Sequence, residues 1–305
     1  MVGDFLNLFG FYIQRRILGR RIPLLASVKL TYRCNLACGM CPFHLRSAEE
    51  NASIGWDDAV RLLDQLRSMG TRIAVLEGGE PLLWRDGPRG IADLVRYAKG
   101  RFLRVAATTN GTLPLDLPVD LLWVSLDGLK DEQDRFRSGS FDRVWANLAA
   151  SRHPNLYVHF TMHRENWKSL DGLAARLRDV PAVRGMTVQL FYPYGQGEWQ
   201  PALTGEERRA ALENVLALKR KGFPILNSAS RLRAMIGNTW NCHEDILVNA
   251  DPDGAITPGC YAKNRGDVNC RQCGFTPVAE ASGALDLIPD SLLAGYKIFL
   301  SKSTN

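Results

Sequence analysis

The sequence predicts an α/β fold, a partial (β/α)6 TIM-type barrel with a small cysteine-rich domain at its C-terminal side. Three observations predict it. Strand-like apolar runs alternate with helical patterns from Ser27 to about Lys221, as parallel strands joined by crossover helices would. That alternation gives six units, enough for an open three-quarter barrel. After Lys221 the pattern changes, and residues 241–275 hold four cysteines, several glycines and a turn at Asp251-Pro-Asp-Gly254. So short a piece cannot bury a core by itself, which points to metal as its staple.

Taken in order, the strands are expected at 27–32, 73–77, 103–108, 121–126, 156–162 and 186–191. Helical patterns lie between them at 56–69, 90–99, 141–150, 167–178 and 205–221. The first of these places Ala59, Leu62, Leu63, Leu66 and Met69 on one face. Residues 288–300 read as a short closing helix. The expected division is 1–26 an N-terminal amphipathic helix, 27–225 the partial barrel, and 226–305 the cysteine-rich domain.

Composition narrows the function classes. With 46% hydrophobic and 23% charged residues the chain is an ordinary globular protein. Its net charge of +6 is diffuse, which argues against nucleic acid as a partner. Seven cysteines suit no closed disulfide framework, and they fall into a group of three and a group of four. That split reads as metal sites in a reducing compartment, hence a cytoplasmic protein. The apolar stretch 5–13 precedes its basic residues, unlike a secretory signal, and is too short to span a bilayer.

The chemistry is concentrated in Cys34-Asn-Leu-Ala-Cys38-Gly-Met-Cys41, three thiols spaced C-x3-C-x2-C just after the first strand. Thiolates suit iron–sulfur clusters, zinc or copper(I). Three of them can hold a 4Fe–4S cubane and leave its fourth iron open, where a structural cluster takes four. A zinc knuckle or three buried core cysteines are the plainer alternatives.

This motif resembles that of the radical S-adenosylmethionine (radical SAM) superfamily, and the resemblance spans most of the chain. It implies an enzyme in which the open iron binds SAM, whose reductive cleavage yields a 5′-deoxyadenosyl radical that abstracts a substrate hydrogen atom. It also implies an electron donor such as flavodoxin or ferredoxin. The rival of another class is a non-catalytic iron–sulfur or zinc protein.

Further elements fall at successive strand ends, where parallel α/β barrels carry their reactive groups. Gly78-Gly79-Glu80-Pro81 looks like the family's Gly-Gly-Glu-Pro, whose backbone and carboxylate hold the amino group of SAM. Thr109-Asn110-Gly111 resembles the Thr-Asn-Gly element lining the SAM pocket. Ser125-Leu-Asp127-Gly, followed by Asp134-x-x-Arg137, resembles the pattern whose serine and arginine contact SAM. Arg137 is then the expected partner of the methionine carboxylate, and Asp127 is expected to fix the loop. Met40 stands where many relatives have an aromatic residue, and its thioether could pack on adenine.

Cys242, Cys260, Cys270 and Cys273 follow a hairpin pattern around Pro252-Asp-Gly254. They resemble the SPASM and twitch domains that follow many radical SAM barrels, which implies an auxiliary 4Fe–4S cluster. Four cysteines also satisfy tetrahedral zinc.

His159, Thr161 and His163 share a strand face that would be close to substrate if it pointed inward, and Tyr192 and Tyr194 follow the sixth strand. For the substrate, the SPASM/twitch resemblance implies a peptide. Phe5, Leu8, Phe9, Tyr12, Ile13 and Ile17, followed by Arg15, Arg16, Arg20 and Arg21, form an amphipathic segment. It either contacts a membrane surface peripherally or covers the base of the barrel. The first alternative favours a lipid or isoprenoid substrate, and other small molecules complete the range.

Overall fold

The computed structural model describes residues 2–262 and 269–301; residues 263–268 of the cysteine-rich segment lie outside the description. Helix α1 (Val2–Tyr12) runs into a π turn (Ile13–Ile17) before β1 (Leu25–Thr31). Then come α2 (Trp56–Ser68), β2 (Ile73–Gly78), the two-residue ribbon β3 (Arg85–Asp86) and β4 (Arg89–Gly90), and α3 (Ile91–Lys99). β5 (Arg104–Thr109), β6 (Leu121–Ser125), α4 (Lys130–Phe136), α5 (Phe141–Ala150) and β7 (Leu156–Met162) follow. The barrel ends with α6 (Leu170–Leu177), β8 (Val183–Leu190) and α7 (Gly205–Arg220). Beyond it are α8 (Ala229–Gly237), β9 (Leu247–Ala250), β10 (Ile256–Pro258), α9 (Thr276–Leu285), α10 (Pro289–Gly295) and a π turn (Tyr296–Leu300).

All six expected strands form, and β7 has the expected bounds. The ribbon β3–β4 and helices α4, α8 and α9 were not expected. α4 is a polar seven-residue helix with only Gln133 and Phe136 buried, too few apolar positions to show a period.

The main sheet has eight strands in the order β10-β9-β1-β2-β5-β6-β7-β8. β1 through β8 in that order are parallel, which is the partial barrel. The hairpin β9–β10 joins the same sheet, with β9 parallel to β1 from Leu25↔Leu247 to Val28↔Ala250. At the opposite edge, Leu190 N–H donates to Gly274 C=O at 3.3 Å. A Cβ on Gly274 would come within 2.4 Å of Leu190, so only glycine lets the segment after Cys273 lie against β8.

Outward-facing residues of the strands pack under the helices. Ala59, Leu62, Leu63 and Leu66 of α2 join Val28, Leu30, Ala74 and Leu76 in the largest buried cluster. This is how a stripe at helical spacing meets a sheet face at period two.

Inside, the barrel changes character from base to top. Ile73, Val75, Ala106, Leu121 and Tyr157 form an apolar plug, against which Ile298, Phe299 and Trp123 pack. Arg104 ties this base together, donating to Asp4 of α1 at 2.8 Å and to the Phe299 carbonyl at 2.6 Å. α1 therefore sits at the base, as one of the two sequence readings expects. Arg15 pairs with Asp245 at 2.8 Å and Arg16 with Asp286 at 3.5 Å. Its outer face leaves Phe5, Leu6, Phe9 and Ile17 exposed. Among the described residues, no helix is long and apolar enough to cross a membrane.

Candidate functional site

Toward the C-terminal ends of the strands the barrel interior becomes polar and opens into a cavity of about 160 Å³. Cys34, Cys38 and Cys41 all line it. The loop that carries them is pinned from several sides. Asn35 donates to Thr112 Oγ1 at 2.8 Å, Ala37 N–H to Ser138 Oγ at 3.1 Å, and Trp199 N–H to the Gly39 carbonyl at 2.8 Å. Burial raises the Cys34 thiol above its ordinary value and pushes that of Cys38 up to about 12. Such thiols lose their protons to a bound metal, which supplies the missing charge.

Gly78 and Gly79 line the same cavity, and their glycine identity has a structural cause. A Cβ on Gly78, at φ +153°, would fall 2.3 Å from the Thr31 carbonyl oxygen. One on Gly79 would fall 2.3 Å from that of Arg33. The end of β2 thus lies directly against the strand that leads into Cys34. Glu80 departs from expectation. Its side chain is fully buried and accepts from Thr109 Oγ1 and Asn110 N–H at 2.7 Å and from Leu82 N–H at 3.1 Å. The carboxylate ties the ends of β2 and β5 together and does not line the cavity. Burial raises its pKa, and those hydrogen bonds oppose the rise.

Asn110 lines the cavity with its amide turned to Asn35 Oδ1 at 2.8 Å and to Cys34 Sγ at 3.7 Å. Ser125, the last residue of β6, lines the next sector. Arg137 follows α4, which returns the chain over the cavity, and its Nε donates to the fully buried Asp127. Asp127 also accepts from Thr161 N–H at 2.7 Å, so it fixes both the arginine and the top of β7. The cavity therefore brings together every proposed SAM-site residue except Glu80.

Residues 28–177 match the family model described as the Radical SAM superfamily. The AdoMet-dependent heme synthase of Methanosarcina barkeri (strain Fusaro / DSM 804) is 30% identical over 286 residues, covering 84% of this chain and 78% of the relative. The chain belongs to the radical SAM superfamily.

Membership implies a SAM-binding 4Fe–4S cluster and SAM itself, and the three thiols around one cavity fit such a cluster. Fe-coproporphyrin III synthase of the same archaeon is 29% identical over 213 residues, 64% of this chain and 52% of the relative. The subtilosin biosynthesis protein AlbA of Bacillus subtilis (strain 168) is 25% identical, over 78% of this chain and 55% of the relative. The chain thus spans only about half the length of these two. In fold, it resembles Streptococcus suis SuiB bound to precursor peptide SuiA, with a TM-score of 0.63 at 16% identity, covering 91% of this chain and 67% of that one.

In this radical SAM chain, Met40 packs with Phe136 and Phe191. It lines a second cavity of about 190 Å³ rather than the first. Cys38, Cys41, Phe43, Arg137 and Tyr261 line both cavities. Tyr192 and Tyr194 line the second, as the sequence suggested. His159 points inward and pairs with Thr187 Oγ1 at 2.9 Å, whereas His163 is buried edge-on to Phe136 at 4.5 Å. Burial holds both near pKa 4, hence neutral.

Sequence reasoning missed Lys29, Glu77 and Tyr261. Lys29 lies on the inner face of β1, almost fully buried, 3.2 Å from Glu77 and 4.1 Å from the Phe43 ring centroid. Its Nζ also donates to Tyr261 Oη at 2.5 Å. A lysine inside the run Ser27-Val-Lys-Leu-Thr31 was the available signal, since buried lysines need partners.

Cys242, Cys260 and the pair Cys270 and Cys273, which share one turn before α9, come from three separate places. Desolvation, then the neighbouring Cys260 and Cys273 thiols, push Cys242 up to about 12, with Cys270 also contributing. Cys242 thus lies within electrostatic reach of the other three thiols, and Cys273 of Cys260 and Cys270. Among the described residues no three His, Cys, Asp or Glu side chains could hold a single metal ion; a cubane takes each thiolate on a different iron.

Proposed function

We propose that this chain is a SAM-cleaving enzyme whose substrate is a peptide. One observation carries the reading: a single cavity holds Cys34, Cys38 and Cys41 beside Gly78, Gly79, Asn110, Ser125 and Arg137. When bound, the cluster and SAM supply a 5′-deoxyadenosyl radical that abstracts a hydrogen atom from substrate. The chain's own residues do the rest. The three thiols hold the cluster, the Gly78–Gly79 backbone takes the ammonium of SAM, and Arg137, oriented by Asp127, takes its carboxylate. Asn110 and Ser125 line the remaining wall. Glu80 acts from behind it, as a positioning residue.

Cys242, Cys260, Cys270 and Cys273 bind an auxiliary 4Fe–4S cluster, and a reduced flavodoxin or ferredoxin supplies electrons. The peptide reading draws on AlbA, a bacteriocin biosynthesis protein. A second reading, a small-molecule substrate, draws on the relatives named for heme and coproporphyrin synthesis. A lipid variant of it draws on the exposed Phe5, Leu6, Phe9 and Ile17, which would rest peripherally on a membrane. Anaerobic reconstitution with iron and sulfide, then dithionite and SAM, tests the core proposal. Formation of 5′-deoxyadenosine supports it, and its absence from iron-loaded protein overturns it.

A further inference from the structure

The second cavity is walled largely by Met40, Phe43, Phe191, Tyr192, Tyr194 and Tyr261. Apart from the tyrosine hydroxyls, two uncharged polar side chains of the described residues interrupt that wall, Thr161 on β7 and Gln189 on β8. They are register partners, so strand alternation sets them side by side on the inner face. Thr161 has its backbone engaged, its N–H by Asp127 at 2.7 Å and its carbonyl by Asn166 at 2.9 Å. Among the described residues, neither the Thr161 hydroxyl nor the Gln189 amide has a hydrogen-bond partner. Among the described residues, Arg137 is the one charged side chain lining this cavity, and Asp127 pairs with it.

We propose that Thr161 and Gln189 are specificity-determining residues, which receive an uncharged amide-type group borne on an apolar or aromatic body. The inference rests on the SAM-cleaving reading above and concerns the substrate side of that site. A primary amide side chain offers one acceptor and two donors, and a substrate amide offers the complementary set. A bare hydrocarbon would cover both polar groups and leave them unpaired, at a cost in affinity. A carboxylate or diphosphate would bring charge to a wall whose one arginine is paired with Asp127 and, in the reading above, also holds the carboxylate of SAM. Cys38 and Cys41 line both cavities, so a group held by Gln189 lies next to the cluster-bearing cavity.

The test uses the reconstituted full-length protein with SAM and dithionite, and three probes of one aromatic skeleton: 3-phenylpropanamide, methyl 3-phenylpropanoate and 3-phenylpropanoate. The readout is the probe concentration that half-maximally stimulates 5′-deoxyadenosine formation. The amide should act at a roughly tenfold lower concentration than the ester, which lacks the N–H donors, or the carboxylate. In Gln189→Leu and in Thr161→Val that preference for amide over ester should shrink toward unity. A merely structural role would lower all three responses together and leave their ratios intact. Melting midpoints and iron content identify variants that fail to fold, and Gln189→Met, close in shape, provides a second loss of the amide. No stimulation by the amide, equal response to amide and ester in wild type, or an undiminished preference in the variants overturns the proposal. Failure of the SAM-cleaving reading would show separately, as no 5′-deoxyadenosine from wild type without any probe.

Discussion

Lys29 and Glu77 are register partners on β1 and β2, with their charged groups 3.2 Å apart inside the barrel. Tyr261, from the segment after Cys260, completes the arrangement by accepting from the same ammonium. The ion pair therefore joins the wall of the first cavity to the four-cysteine segment.

Lys29→Met should be destabilising, since it removes a buried ammonium that pairs with Glu77 and donates to Tyr261. Breaking a buried pair costs about 3–5 kcal/mol, and the lower end applies because Glu77 keeps 21% of its side chain exposed. Chemical denaturation of the single variant and of Lys29→Met/Glu77→Gln measures it. The double variant should recover part of the loss; if the single variant matches wild type, the pair contributes nothing.

Glu80→Ala should lower stability although it removes no cavity-lining side chain. It strips partners from the Asn110 N–H and the Thr109 hydroxyl, each worth roughly 1–3 kcal/mol when buried and unpaired. Thermal melting should show a clear drop, with weaker SAM binding by calorimetry because Asn110 loses its anchor.

The part of the site carried by local spacing was legible in the sequence, and the part carried by tertiary register was not. Cys34, Cys38 and Cys41 share one loop, and Ser125 ends the continuous apolar run of residues 121–124. Glu80 looked like a ligand-facing carboxylate because its acceptors' partners, Thr109 and Asn110, lie about thirty residues onward. Lys29 gave no hint of Glu77, because their pairing exists only once β1 and β2 are aligned. α4 was hidden by its polarity, and with it the turn that brings Arg137 back to Asp127.

Acid should destabilise the fold through His159 and His163. Both have folded values near 4, below the ordinary 6.5. Between those values the unfolded chain binds more protons, so stability rises with pH. The contribution is fully present above about 6.5 and is lost as pH falls through 4. Each histidine can account for roughly 3 kcal/mol. Denaturation midpoints from pH 7 to 4 should fall less steeply in His159→Gln than in wild type.

The two cysteine groups should lose metal independently. Two cubanes correspond to about eight irons per chain, and Cys34→Ala/Cys38→Ala/Cys41→Ala should keep about half and form no 5′-deoxyadenosine. Cys270→Ala/Cys273→Ala should lose the other half. Stoichiometric zinc in wild type would contradict the auxiliary cluster.

Anionic liposomes should retain full-length protein at low salt better than protein lacking residues 1–20. Exposed Phe5, Leu6, Phe9 and Ile17 supply the apolar contact, and salt should weaken the arginine contribution. Because Asp4 and Arg15 bind the barrel and Asp245, Phe5→Ser/Phe9→Ser is the gentler variant. Equal sedimentation of all three proteins would end the membrane reading.

The strand β1 belongs to two sites at once. Its C-terminal end leads into Cys34, and its free edge receives β9, on the way to Cys260. Leu25 and Leu247 come from opposite ends of the sequence, and such distant parallel pairing is the slowest kind to form because the loop must close first. The Cys34 loop needs β2 and its anchors at Thr112, Ser138 and Trp199, all of them before the hairpin in the chain. The four-cysteine site needs in addition the pairing of β9 with β1, so its geometry depends on the longest-range contact in the sheet, and a change that weakens the β1 edge would reach the four cysteines before the three.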